Sequence, residues 1–149
     1  MRILVANGPN LNLLGAREPR MYGKETWAAV EKRLRKVAKG RGVTLEAIQT
    51  NQEGTLIDTL QERSKFQAII LNPAGLSHTS VSLRDTVAAI GIPVVEVHIS
   101  NIAARETFRQ NSLLTAVCKG IISGLGTMGY DLALEFLAET NVPDWFQKA

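Results

Sequence analysis

Three short runs, RILVA (2–6), QAIILN (67–72) and IPVVEVHIS (92–100), leave almost no polar face for water. Strands of that kind are covered on both sides, which is the condition of a parallel sheet packed between helices. Two more strands fit the same spacing, VTLEAIQ (43–49) and KGIISG (119–124). Helical patterns occupy the intervals. Trp27, Val30, Leu34 and Val37 line one side of a helix over 25–39, with the basic residues of EKRLRKVAKGR on its solvated face. Leu56, Ile57 and Leu60 share a helical spacing in EGTLIDTLQERS. HTSVSLRDTVAAI reads as a helix ended by Gly91, and MGYDLALEFLAE as a last helix that is apolar over most of its surface.

Strand and helix alternate along all 149 residues without repeat, linker or low-complexity segment, and the expectation is one domain spanning 1–149. Its class is α/β: a flavodoxin-like three-layer sandwich with five parallel strands in the order 2-1-3-4-5 and helices on both faces. Ligands of such sheets bind beyond the carboxyl ends of the strands, where the order reverses, here between strands one and three. The segments that leave strands one, three and four are the chemically dense ones: NGPNLNLLGAREPRMYG, NPAGLSHTS and HISNIAARETFRQNS. They hold Tyr22 and both histidines, His78 and His98, whereas TNQEG after strand two has no such density. Fold and residue chemistry select the same rim.

The composition removes several function classes. With 45% hydrophobic and 21% charged residues the chain is ordinary for a soluble domain. Its apolar runs are too short to cross a bilayer, and no small-residue cleavage site follows the first of them, so neither a membrane partner nor a signal peptide is expected. Cys118 is the only cysteine and sits in LLTAVCKGII, where it reads as a small core residue; this fits the reducing cytoplasm, the expected location. The net charge of +3 is mild and dispersed, and no DNA- or RNA-binding motif accompanies it, so no nucleic-acid partner is expected. GLGTMG (124–129) matches the dinucleotide fingerprint, but no further strand with an acidic ribose partner follows. A tight strand-to-helix turn explains it, and a nicotinamide cofactor is rejected. The histidines lack metal-ligand spacing; no cofactor and no metal are expected.

In EVHIS, alternation places Glu96 and His98 on one side of the strand, where a carboxylate can orient the ring for proton donation. The alternative is a strand-end ion pair without a chemical task. Tyr22 lies in GAREPRMYGK between Gly15 and Gly23, with Arg17, Arg20 and Lys24 close in sequence. Neighbouring guanidinium groups favour a phenolate, and a loop bracketed by glycines can act as a lid, so Tyr22 is a candidate general base. Its alternative is a surface aromatic. Arg105 and Arg109 in SNIAARETFRQNS would share one face if that segment were helical, and would suit an anionic substrate; a solvated helix face is the other reading.

Four blocks, NGPNLNLLG with REP and YG behind it, LNPAGLSHTSVSLRD, EVHISN and ARETFRQNS, closely resemble the type II 3-dehydroquinate dehydratases, and the resemblance covers nearly the whole chain. It implies dehydration of 3-dehydroquinate to 3-dehydroshikimate by anti elimination through an enolate, without cofactor or metal, in aromatic (shikimate-pathway) biosynthesis or in quinate catabolism. By position it implies Tyr22 as the base and Arg17 as an essential residue on the same lid. Arg105 would keep Tyr22 ionised. His98 would be the acid, oriented by Glu96, and Asn10 would hold the water that stabilises the enolate. Asn72, Ile99 and Ser100 would grip the substrate carboxylate, and His78 and Arg109 the ring hydroxyls. Asp85 would reach a neighbouring subunit's site, since the family assembles trimers, usually four of them as a homododecamer.

The chain departs from the family pattern at Pro73-Ala74-Gly75, where Pro-Gly-Ala or Ala-Gly-Gly is more familiar, and at Ala103, Gln110, Asn111 and Leu113. These positions bear on the pocket rim and subunit contacts, not on the reaction. The competing reading is a non-catalytic ligand-binding module on the same fold. A phosphoacceptor receiver would want acidic residues at the end of strand one and a flavin module a hydroxyl-rich loop; RILVANGPN supplies neither.

Overall fold

Because successive side chains of a strand point to opposite faces, each apolar run feeds two cores at once. A computed structural model describes residues 1–16 and 24–139. Its strands β1 (Arg2–Asn7), β2 (Thr44–Gln49), β3 (Ala68–Asn72), β4 (Val94–His98) and β5 (Gly120–Ser123) pair in parallel, in the order β2-β1-β3-β4-β5. The helices between and after them are α1 (Trp27–Gly40), α2 (Glu53–Gln61), α3 (Val81–Ile90) and α4 (Met128–Ala138). This is the expected three-layer sandwich.

Ile3, Val5, Ile70, Val95 and Val97 face α1 and α4, where Val30, Leu34, Leu134 and Leu137 are buried with them. Leu4, Ala6, Ile69, Leu71 and Val94 face α2 and α3, against Leu56, Leu60, Leu83 and Val87. Each fully buried Leu or Ile contributes about 1.5–3 kcal/mol relative to exposure, so the two layers hold the sheet from both sides. β5, at the edge, is the one strand with no buried residue.

Caps decide where the helices start. Thr26 Oγ1 accepts the Ala29 amide at 3.3 Å, so α1 begins at Trp27. Ser80 Oγ accepts the Leu83 amide at 2.8 Å, so α3 begins at Val81 and leaves His78 in a preceding 3₁₀ turn, Ala74–His78. Gly91, at φ 70, ends α3 as its sequence position foretold. The segment after β4 is not an α-helix. It forms two 3₁₀ turns, Ile102–Ala104 and Thr107–Arg109, with Arg105 extended between them. Asn101 Oδ1 accepts the Ala103 amide and Ser123 Oγ the Ile102 amide, each at 3.2 Å, which ties the first turn to β5 and prevents a longer helix. The four-residue spacing of Arg105 and Arg109 is therefore not a helical face.

Candidate active site

β1 and β3 end side by side at the point where strand order reverses, and their outgoing loops touch backbone to backbone. The Gly8 amide donates to Asn72 O at 2.8 Å. A Cβ on Gly8 would stand 2.6 Å from Pro73 O, so only glycine permits the approach. Asn10 then turns into the left-handed region, φ 69, and opens the 3₁₀ turn Leu11–Leu13. Its amide donates to Asn51 Oδ1 at 2.9 Å. Asn51 belongs to the loop after β2, which sequence reading had set aside; it supports the floor without lining it. Above lies a cavity of about 190 Å³. Asn10, Asn72, His78, His98, Ile99, Ser100, Arg105 and Arg109 all line it, so the structure brings most of the expected residues to one place.

His98 and Glu96 form the buried heart of the site. His98 Nε2 lies 2.7 Å from Glu96 Oε1. A carboxylate only accepts, so Nε2 carries the hydrogen and Nδ1 is the ring atom left for the cavity. Glu96 has no exposed surface. Ser112 Oγ donates to its Oε1 at 2.5 Å and Thr115 Oγ1 to its Oε2 at 2.6 Å. Burial alone would push this carboxyl up, but the hydrogen bonds from His98, Ser112 and Thr115 outweigh it and hold Glu96 below the ordinary carboxylate range. Sequence reading missed both hydroxyls. They sit in an irregular segment with no periodicity, and their only signal was hydroxyl residues sixteen and nineteen positions beyond a buried carboxylate, which is too weak to use.

His78 is held differently. Its Nδ1 lies 2.8 Å from Asn111 O, so Nδ1 donates and a neutral ring offers Nε2 as an acceptor. The rings of His78 and His98 lie nearly parallel, 6.5 Å apart between centroids. Arg105 NH1 donates to Ser100 Oγ and its Nε to Glu106 Oε2, both at 3.2 Å, while Gln110 Nε2 donates to Arg105 O at 2.9 Å. Arg109 stacks its guanidinium 5.0 Å from the centre of the Phe108 ring. Two arginines on one wall make the cavity suited to an anion.

Other expected residues stand elsewhere. Asp85, on α3, is exposed and paired with Arg84 at 2.8 Å, outside the cavity of this chain. Tyr22 and Arg17 lie outside the described residues. Cys118 packs beside the α2–α3 core, where burial, and then the nearby Glu96, push its thiol up to about 12. Among the described residues no three His, Cys, Asp or Glu side chains gather as metal ligands, and no helix is long and apolar enough to cross a membrane. In GLGTMG, Gly124 adopts φ 88, and its amide donates to His98 O at 3.1 Å while that of Gly126 donates to Ile99 O at 3.0 Å. The motif closes the end of β4, as the turn reading expected.

Residues 1–138 match the family described as Dehydroquinase class II. The chain is 53% identical over 136 residues to the 3-dehydroquinate dehydratase of Prochlorococcus marinus, covering 91% of each protein. It is 56% identical over 140 residues to the 3-dehydroquinate dehydratase of Corynebacterium pseudotuberculosis, covering 92% of this chain and 96% of that one. Among solved structures, the type II dehydroquinase of Butyrivibrio crossotus superposes with a TM-score of 0.91 at 40% identity, over 93% of this chain and 98% of that chain.

Proposed function

The chain belongs to the type II dehydroquinase family and is a 3-dehydroquinate dehydratase, a lyase; from that premise we propose how its residues share the reaction. Dehydration to 3-dehydroshikimate breaks a C–H bond beside the ketone and a C–O bond at the neighbouring carbon. The Tyr22 phenolate takes the proton, and the electron pair passes to the ketone oxygen as an enolate. The enolate then expels the hydroxyl, which leaves as water with a proton from His98. One proton is gained and one lost, so the enzyme needs only an internal transfer from Tyr22 to His98 to reset.

The observation that carries this reading is the His98–Glu96 pair with its Nδ1 at the cavity. An imidazolium that donates through Nδ1 keeps its Nε2 hydrogen on Glu96, and the carboxylate stabilises the charged ring before transfer. Asn10, on the rigid Gly8 floor, is suited to orient a water toward the enolate oxygen, which needs preorganised donors. Arg105 favours the Tyr22 phenolate, with Arg17 serving beside it. Asn72, Ile99 and Ser100 hold the substrate carboxylate, and His78 Nε2 accepts from a ring hydroxyl that Arg109 also contacts. Asp85, exposed on the single chain, would complete a neighbour's site in a trimer-based dodecamer. The enzyme would work in the cytoplasm, in biosynthesis or in quinate breakdown.

The test mixes chelator-treated protein with 3-dehydroquinate and follows the ultraviolet absorbance of the conjugated enone. A rise is expected. Tyr22→Phe should lower kcat by about 10²–10⁴-fold while the substrate still binds. Full turnover in that variant removes Tyr22 from the mechanism, and no turnover by the folded parent leaves only a binding module.

A further inference from the structure

The proposed mechanism has no use for the largest fully buried side chain among the described residues, Tyr130 on α4. Its ring sits against Trp27 of α1, with centroids 5.6 Å apart and planes at 51°. Its hydroxyl reaches the seam where β1 and β3 end. There Asn72 Nδ2 donates to the Tyr130 hydroxyl at 2.7 Å, and the hydroxyl donates to Asn7 Oδ1 at 2.9 Å. Asn72 Oδ1 in turn accepts the Ala74 amide at 3.1 Å. Four groups thus form one directed chain from the core to the cavity wall. Burial pushes the phenol above its ordinary value, against the smaller effect of its hydrogen bonds, so it stays a neutral hydroxyl able both to accept and to donate.

We propose that Tyr130 is a positioning residue for substrate binding: its hydroxyl fixes the orientation of the Asn72 amide, and through it the turn at Ala74 that walls the cavity. The geometry admits one orientation. A flipped amide would set Nδ2 against the Ala74 N–H, donor against donor. In the observed orientation one Nδ2 hydrogen is committed to Tyr130 and the other is left for a guest. Asn72 is 3% exposed, so without the hydroxyl its Nδ2 would be a buried donor short of a partner, and only the Ala74 amide at Oδ1 would still hold the side chain. The Asn7 side chain depends on the same hydroxyl, since its Nδ2 is buried without a hydrogen-bond partner among the described residues. Ala74 stands at φ 51, a conformation that a non-glycine residue keeps only when its surroundings enforce it, and the bond to Asn72 is one such constraint.

This inference rests on the reading of Asn72 as a substrate contact, and the experiment separates the two. Steady-state kinetics are measured for Tyr130→Phe, Asn72→Ala and the double variant. Loss of one oriented hydrogen bond that acts equally on substrate and transition state should raise KM about three- to tenfold at nearly unchanged kcat. The double variant should have the KM of Asn72→Ala alone. A merely structural Tyr130 would instead reduce the active fraction and leave KM where it was. An unchanged KM in Asn72→Ala overturns Asn72 as a contact and the role of Tyr130 with it. A raised KM in Asn72→Ala beside an unchanged one in Tyr130→Phe overturns Tyr130 alone, as does full additivity in the double variant. Should Tyr130→Phe fail to fold, Asn7→Ala frees the hydroxyl to rotate and should raise KM about twofold; an unchanged KM there also overturns the proposal.

Discussion

Replacing Thr115 by valine tests the central dyad through stability rather than turnover. The change keeps the shape of the side chain and deletes one donor, the hydroxyl 2.6 Å from Glu96 Oε2. A hydrogen bond to a buried charge contributes about 1.5–3 kcal/mol; with His98 and Ser112 still in place, about 2 kcal/mol is a fair central value. Losing that donor moves the Glu96 pKa back up toward its ordinary value. The direction follows from linkage. A carboxyl held below its ordinary 4.5 in the fold contributes stability that is present above that value and lost as the pH falls through the folded pKa. The variant therefore lacks part of the contribution at neutral pH, and the two proteins converge in acid. For a chain of this size about 2 kcal/mol lowers Tm by roughly 4–8 °C. Melting curves followed by circular dichroism at about pH 7 and in an acid series running well below the ordinary carboxylate range read the difference. A deficit that stays the same size throughout the acid series would mean that Thr115 meets a neutral carboxyl, and no deficit at neutral pH would mean that the bond contributes nothing. Either result refutes the account of Glu96 as a buried carboxylate held by its donors.

Two backbone predictions are independent of the dyad. Gly8→Ala sets a methyl 2.6 Å from Pro73 O, and forcing the two loops apart should cost about 1–3 kcal/mol in denaturant unfolding and raise KM; a variant as stable and active as the parent would show that the β1–β3 seam is pliable. At Ala74, φ 51, glycine should be tolerated within about 1 kcal/mol, because relief of about 1–2 kcal/mol of left-handed strain is offset by the greater chain entropy of glycine. Valine there should be clearly more destabilising in the same unfolding experiment, and equal tolerance of the two would deny that the turn is constrained.

The layer order and the rim were legible because they depend on periodicity. QAIILN and RILVA have no polar side, and a sheet covered on both faces is what such runs can make. The position of His98 two residues past Glu96 was legible for the same reason, since strand alternation is rigid. The segment 99–117 was not. Its conformation is set by side-chain bonds to distant backbone, such as Ser123 Oγ to Ser100 O at 3.1 Å and the Leu113 amide to Ser77 O at 2.8 Å, and spacing within the segment carries no trace of them. The condition under which Arg105 and Arg109 would share a helical face is not met, because the segment forms two separate 3₁₀ turns with Arg105 extended between them. Tyr130 escaped notice because on an apolar helix an aromatic reads as core, and its ring is core; only the oxygen belongs to the site. Asn51 escaped because a loop can matter through one amide-accepting oxygen while lacking every residue type associated with chemistry.

The glycine turn after β5 has a wider bearing. Phosphate recognition by such turns depends on amides that point outward with nothing to bind. Here the amides of Gly124 and Gly126 are already committed to the carbonyls of His98 and Ile99. The spacing of glycines records a path that the main chain can follow, and two unrelated needs can call for that path: embracing an anion, or sealing the loose end of a neighbouring strand. Donor occupancy tells them apart, and it can be read from the fold but not from the letters.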